Sequence, residues 1–415
     1  MGARSIDLAP RPHRVLHGYP RNGCARRCET LTCSGAAPGA WSPRRVKPSP
    51  TIGIVGSAGT YGRWLRRFFS THLGLRVLGH DPGDPDADPP QALLDQADVL
   101  LFATPIRVTA ALIDDYVRMS AGREAGKLWL DITSIKQGAV EAMLRSRAEV
   151  VGLHPMTAPP KAPTMKGRVL VVCEARLDRW RPWLRSLLDA LEGECVYASA
   201  QRHDEMMALV QAMVHASHLA QAGVLEEYAA RLGGLEAIMP FRSASFELDV
   251  AIAARILSLN PAIYEEIQFG NTHAAEVLDR LLERLAELRD LVRRGDDEAR
   301  ARFRERFLRS REGFGARALA EGNYAYERVG YLLADLVGSR YTSVHLPDDR
   351  PGSLCTLLHV FERHGVSLES IHSSRTPGGE VHFRIGFVRG TDPAGLAAAV
   401  EEIGRSGIGR VLESG

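Results

Sequence analysis

The residue types in this 415-residue chain that could do chemistry gather in a few short segments. Gly152-Leu153-His154-Pro155-Met156 follows the apolar run Ala148-Glu149-Val150-Val151 and precedes the proline-rich stretch Ala158-Pro159-Pro160-Lys161-Ala162-Pro163. One histidine therefore stands at the exit of a buried strand, where open α/β sheets place their ligands. An imidazole titrating near pH 6.5 suits proton transfer at neutral pH. The alternative there is a core histidine bonded to backbone. Asp131-Ile132-Thr133-Ser134-Ile135-Lys136 leaves another strand, and puts a hydroxyl and an ammonium at a comparable exit. Ser134 is read either as a site hydroxyl or as a helix N-cap. Gln211-Ala212-Met213-Val214-His215 and the segment around Arg255 fall in helical sequence. Arg255 presents a planar fork suited to a carboxylate, or is a surface arginine. His215 and His218 stand at i, i+3, half a metal site, but no carboxylate partner stands at a suitable spacing and no metal is expected.

These segments need elements to hold them. Thr51-Ile52-Gly53-Ile54-Val55 reads as a strand, Gly56-Ser57-Ala58-Gly59-Thr60-Tyr61-Gly62 as a glycine turn, and Arg63–Phe69 as an amphipathic helix. Strand, glycine loop and helix together bind a dinucleotide: the glycines let backbone approach the pyrophosphate, and the helix N-terminus supplies free N–H groups. The spacing G-x2-G-x2-G departs from G-x-G-x-x-G. A second strand ends at Asp81, 19 residues beyond Gly62, where a carboxylate accepts from a ribose and repels a 2′-phosphate. The expected cofactor is NAD, held by Gly56, Gly59, Thr60, Tyr61, Gly62, Asp81, Thr104 and Pro105.

Alternating strands and helices continue to about residue 200, which predicts a doubly wound, mostly parallel sheet of Rossmann type. From Asp204 to about Val337 the pattern is helical. The final stretch then reads β-α-β-β-α-β, a ferredoxin-like order. The fold class is thus α/β, followed by an all-helical domain and a small βαββαβ domain. The predicted boundaries are 1–50 (a disordered Arg/Pro-rich tail), 51–200, 201–338 and 339–415.

Composition narrows the function classes. Residues 1–50 carry nine Lys/Arg against two acidic residues, so a net charge of +2 leaves the remainder at −5. That body offers no basic surface for nucleic acid. No apolar run reaches the roughly 20 residues a membrane span needs. Six cysteines, three in the tail and three in apolar segments, do not form a disulfide framework, and a reducing cytoplasm is expected. The tail itself is open to three readings: disorder, a transit peptide, or an over-extended start of translation.

The split glycine loop, Asp131–Lys136, Gly152–Met156, Gln211–His215 and Ala254–Tyr264 occur in the order found in prephenate dehydrogenases, and over about residues 51–335 the chain resembles that family. Residues 340–415 resemble an ACT regulatory domain. The resemblance implies NAD-dependent oxidative decarboxylation of prephenate in tyrosine biosynthesis. His154 would accept the ring-hydroxyl proton. Ser134 would bond the substrate or His154 and fix its tautomer. Arg255 and His215 would hold the two carboxylates, and Lys136 would assist near the nicotinamide or substrate. It implies a homodimer and an aromatic amino acid effector, tyrosine or phenylalanine, at Gly352, Ser353, Leu354, Ser373, Ser374 and Arg375. Ser373 stands where such ACT domains usually carry Glu. Arogenate dehydrogenase and a non-catalytic amino-acid-sensing regulator are the rivals. Related dehydrogenases with a helical second domain use a catalytic lysine there, and no lysine occurs after Lys166.

Overall fold

The computed structural model describes residues 49–160, 164–258, 260–336, 340–346, 350–375, 381–388 and 390–414. The Arg/Pro-rich tail with Cys24, Cys28 and Cys33 lies outside the described residues, so the expectation of disorder there is not addressed. The first domain alternates β1 (Ile52–Val55), α1 (Thr60–Arg67), β2 (Val77–His80), α2 (Pro90–Gln96), β3 (Val99–Phe102), α3 (Ile106–Ser120), β4 (Leu128–Asp131), α4 (Gln137–Leu144), β5 (Glu149–Pro155), β6 (Val169–Arg176), α5 (Arg181–Leu191) and β7 (Glu194–Tyr197). The strands form one sheet in the order β2-β1-β3-β4-β5-β6-β7.

β1, β3, β4 and β5 are buried along their whole length, which is why they read as continuous apolar runs. Their side chains alternate between two cores. Ile52, Ile54, Leu101, Leu130 and Leu153 pack with Trp64 and Phe68 on the α1 side, and with Leu184 and Leu188 of α5. Val55, Phe102, Trp129 and Val150 pack with Leu93 of α2, Ile113 of α3 and Val140 of α4. One pairing departs from parallel: β5 and β6 run antiparallel, with His154 opposite Val171. Among the described residues, no crossover helix joins these strands, and a connection without a crossover returns antiparallel.

The helical region comprises α6 (Ala200–Met207), a π-helical segment (Ala208–Met213), α7 (Val214–Leu232), α8 (Leu235–Ile238), α9 (Ala244–Ser258), α10 (Pro261–Gly270), α11 (Ala274–Arg294), α12 (Asp297–Arg306), α13 (Arg311–Phe314) and α14 (Ala316–Leu336). Among the described residues its own buried cluster is small, Ala212, Ile267 and Ala274, with Ile106 packed against it. Large apolar side chains stay outside, with Phe241 and Phe269 each 88% exposed. The last domain is β8 (Tyr341–Leu346), α15 (Ser353–Arg363), β9 (Leu368–Arg375), β10 (Val381–Phe387), α16 (Pro393–Arg405) and β11 (Arg410–Ser414). Its antiparallel order is β11-β8-β10-β9, and Phe361, Ile385 and Ile403 fill its core. Among the described residues, no helix is long and apolar enough to cross a membrane.

Candidate active site

Parallel β1, β3, β4 and β5 end at one sheet edge, which brings the glycine loop, Thr104, Ser134 and His154 to the same side. In the loop, Gly56 has φ +86°, and a Cβ there would stand 2.5 Å from the Ala103 carbonyl oxygen. A Cβ on Gly62 would stand 2.0 Å from the Gly56 oxygen, so only glycine lets α1 sit this close to the loop. Gly59 precedes α1 with no side-chain cap, and Thr60 opens the helix, leaving its first N–H groups to a ligand. Asp81 holds the loop from β2: its carboxylate accepts from Ala58 N–H at 3.1 Å and Gly83 N–H at 2.9 Å. The Tyr61 hydroxyl donates to the Thr157 carbonyl, and burial raises its pKa. Tyr61 thus clamps α1 to the loop after β5. Pro105 caps α3, while Thr104 and Thr109 share a 2.7 Å hydroxyl bond.

His154 is 2% exposed. Its Nδ1 lies 2.8 Å from His203 Nε2, and its Nε2 lies 3.4 Å from Gln211 Nε2. His203 Nδ1 is in turn 2.7 Å from Asp204 Oδ1. Asp204 comes from the start of the helical region yet caps α4: its oxygens accept from Lys136 N–H at 2.8 Å and Gln137 N–H at 2.9 Å. Burial pushes the His154 pKa well below 6.5, helped by His203 and the Lys136 ammonium. It is therefore a neutral imidazole at neutral pH.

Three sequence expectations change here. The partner of His154 is His203, not Ser134. Ser134 does not cap α4 either, because Asp204 does. Lys136 does not face a ligand: its side chain is fully buried, and Nζ donates to Asp131 Oδ2 and, at 2.8 Å, to the Leu153 carbonyl. It secures from beneath the strand that presents His154. This also explains Gly152, where a Cβ would meet Val140 Cγ2 at 2.9 Å and Lys136 Cδ at 3.0 Å.

Gln211 lies in the π-helical segment, a distortion that re-aims side chains and recurs at functional sites. His215, four residues on, shares its face. The His215 ring meets Tyr264 of α10 edge-on at 4.9 Å, and burial lowers its pKa. Buried Gln211 Oε1 and His215 Nδ1 have no hydrogen-bond partner, which suits a polar ligand beside His154. Arg255, near the end of α9, is exposed and joins His154 by no bond among the described residues. A separate cavity of ≈ 440 Å³ opens between α3, α4 and α10, lined by Arg107, Thr133, Asp204, Glu265 and Phe269. His203 and Asp204 were not picked out from sequence. Their one signal was an adjacent His-Asp pair at the start of the first helix after the sheet.

In the last domain, Gly352 at φ +95° precedes α15, and the Ser353 hydroxyl accepts from Arg350 N–H at 3.0 Å. Leu354 is 39% exposed. Ser373 lies exposed on edge strand β9; Ser374 and Arg375 are described there as backbone only.

Family models match three consecutive regions: prephenate dehydrogenase, nucleotide-binding domain, over residues 80–194; prephenate dehydrogenase, dimerization domain, over 199–308; and ACT domain over 340–406. A protein of Streptomyces pristinaespiralis named 4-amino-4-deoxyprephenate dehydrogenase is 32% identical over 270 residues, 59% of this chain and 86% of that protein. The probable arogenate/prephenate dehydrogenase of Methanocaldococcus jannaschii is 23% identical over 69% of this chain and 66% of its own length. The T-protein of Enterobacter agglomerans is 28% identical over 64% and 68%. The chain thus spans about two thirds of the length of these last two relatives. A solved structure of prephenate dehydrogenase from Aquifex aeolicus with hydroxyphenyl propionate and NAD+ is similar at a TM-score of 0.49 and 17% identity, over 65% of this chain and 99% of that one.

Proposed function

Because the chain belongs to the prephenate dehydrogenase family, we propose that it oxidatively decarboxylates prephenate with NAD⁺. The observation that carries this reading is His154, a buried imidazole held neutral at the sheet edge that also carries the glycine loop. A neutral imidazole can take the ring-hydroxyl proton as the substrate aromatises. The glycine cradle and Asp81 fit a dinucleotide without a 2′-phosphate, through Gly56, Gly59, Thr60, Gly62, Thr104 and Pro105, with Tyr61 bracing the helix. Bound NAD⁺ supplies the hydride acceptor. Ser134 and Gln211 orient the substrate beside His154. His215 and Arg255 receive its carboxylates.

The exposed Phe241 and Phe269 fit the dimerization match and a homodimer. The ACT domain fits feedback control by tyrosine or phenylalanine, bound through Gly352, Ser353, Leu354, Ser373, Ser374 and Arg375. The name of the 32%-identical relative favours a second reading, a substrate with nitrogen in place of the ring hydroxyl. His154 would then take an N–H proton.

The test is NAD(P)H formation by the purified full chain. Prephenate, arogenate and 4-amino-4-deoxyprephenate are each offered with NAD⁺ and NADP⁺, with and without tyrosine or phenylalanine. Turnover is expected with prephenate and NAD⁺. Preference for either amino substrate would redirect the substrate reading, and no turnover in any pairing would overturn it.

A further inference from the structure

We infer that His203 and Asp204 are positioning residues that fix which nitrogen of His154 is the base, and that they make this choice depend on the helical region being docked on the sheet. The kinetic half of this inference rests on the proposed role of His154; the tautomer half does not.

The chain of donors leaves one consistent arrangement. Both Asp204 oxygens accept backbone N–H groups, from Lys136 at 2.8 Å and Gln137 at 2.9 Å, and these groups can only donate. The carboxylate is therefore an acceptor on every side, and the proton in its 2.7 Å contact with His203 sits on Nδ1 of the ring. In a neutral imidazole the other nitrogen is then an acceptor. His203 Nε2 faces His154 Nδ1 at 2.8 Å, so His154 must carry its proton on Nδ1. The lone pair falls on His154 Nε2, the nitrogen facing the Gln211 amide. The reversed tautomers would point a His203 lone pair at a buried carboxylate. All three residues are at most 2% exposed, so a mismatched donor or acceptor within the chain would be costly.

The same arrangement carries the charge that proton transfer creates. As the substrate O–H bond breaks and an Nε2–H bond forms, the electron pair stays on the substrate oxygen. His154 becomes an imidazolium whose Nδ1–H already points at His203 Nε2, and His203 already points at Asp204. No hydrogen bond in the chain has to break. The other charged or titratable groups around the ring are the Lys136 ammonium and Asp131 beneath β5. Cys173 lies on β6, its thiol pushed up to about 11 by burial. Lys136 opposes the imidazolium, and Asp204 offsets it through His203.

The relay also spans two domains. His154 comes from β5, whereas His203 and Asp204 sit on α6. Asn271, between α10 and α11, donates its amide to the Asp204 carbonyl at 2.8 Å. Undocking α6 would release both the cap on α4 and the tautomer of His154.

Two measurements test this. Imidazole ¹⁵N NMR of the full-length protein, with His154→Asn to assign the signals, should find His154 protonated on Nδ1 and bare on Nε2 at neutral pH. A proton on Nε2 instead would overturn the inference whatever the substrate proves to be. In kinetics, His203→Leu removes the acceptor, whereas His203→Gln keeps an amide oxygen that can receive the His154 Nδ1–H. His203→Leu should lose kcat by about 10²-fold or more with KM little changed, and His203→Gln should recover most of that loss. Asp204→Asn should move the acidic limb of the kcat/KM profile to lower pH. Equal kcat in the Leu and Gln variants with an unmoved limb would reduce both residues to packing roles and overturn the inference.

Discussion

Replacing Lys136 with methionine separates the two places a lysine after Ser134 could serve, beside a ligand or beneath the strand. The methionine fills much of the same stem but takes away the ammonium that bonds Asp131 Oδ2 and the Leu153 carbonyl. Asp131 is fully buried and would keep only Thr133, whose N–H lies 3.1 Å and whose hydroxyl lies 2.6 Å from Oδ2. Its Oδ1 already has no partner. Stranding a buried carboxylate costs about 3–5 kcal/mol. For a domain of this size, each kcal/mol lowers the midpoint by about 2–4 °C, so a fall of roughly 10 °C is expected. Four of the five tryptophans, Trp64, Trp129, Trp180 and Trp183, lie in the sheet domain, so tryptophan fluorescence follows its melting. Adding Asp131→Asn, which removes the stranded charge, should recover a large part of the loss. Wild-type melting of Lys136→Met together with a sharply raised KM would refute this reasoning and return the lysine to the ligand.

Two further outcomes follow from the geometry. Gly62→Ala places a methyl 2.0 Å from the Gly56 oxygen, a backbone atom that cannot rotate away. Overpacking of this kind costs about 1–3 kcal/mol, so NAD⁺ affinity by calorimetry should fall roughly tenfold or more; wild-type affinity would contradict the close-packed loop. The His154 pKa is depressed, so the base stays unprotonated through neutrality, and kcat/KM should hold level down past pH 6.5 before falling. The unfolded chain takes up the histidine proton near 6.5 and the folded one only at lower pH. The stability contributed by the neutral ring is therefore complete above about pH 6.5 and drains away as pH drops toward the folded value. Urea midpoints that rise as pH falls below 6.5 would contradict this.

The sheet domain was readable because its central strands β1, β3, β4 and β5 are buried on both faces and its glycines mark one turn. Both are local signals. The β-α-β-β-α-β order was likewise carried by alternation and short helices. The antiparallel turn of β6 was implicit in the prolines between Met156 and Pro163, but a helix-free connection was not read as a reversal. Lys136 went astray because a buried ion pair and a ligand-facing lysine look identical in sequence; only the neighbouring Gly152, which makes room for the stem, distinguishes them. His203 and Asp204 escaped for a different reason. Their contacts to His154 and Lys136 span 49 and 68 residues, and no local spacing encodes such a pairing. The Arg255 side chain is exposed on α9, and nothing in a helical pattern fixes what meets it.

The most direct measurement is the turnover of His154→Asn, made beside its NAD⁺ affinity and its melting curve. Asparagine keeps a polar side chain of similar reach but cannot accept the proton. With His154 as the base, kcat falls by about 10²–10⁴-fold while NAD⁺ binding and folding stay near wild type. A variant that turns over prephenate at close to the wild-type rate would contradict that assignment.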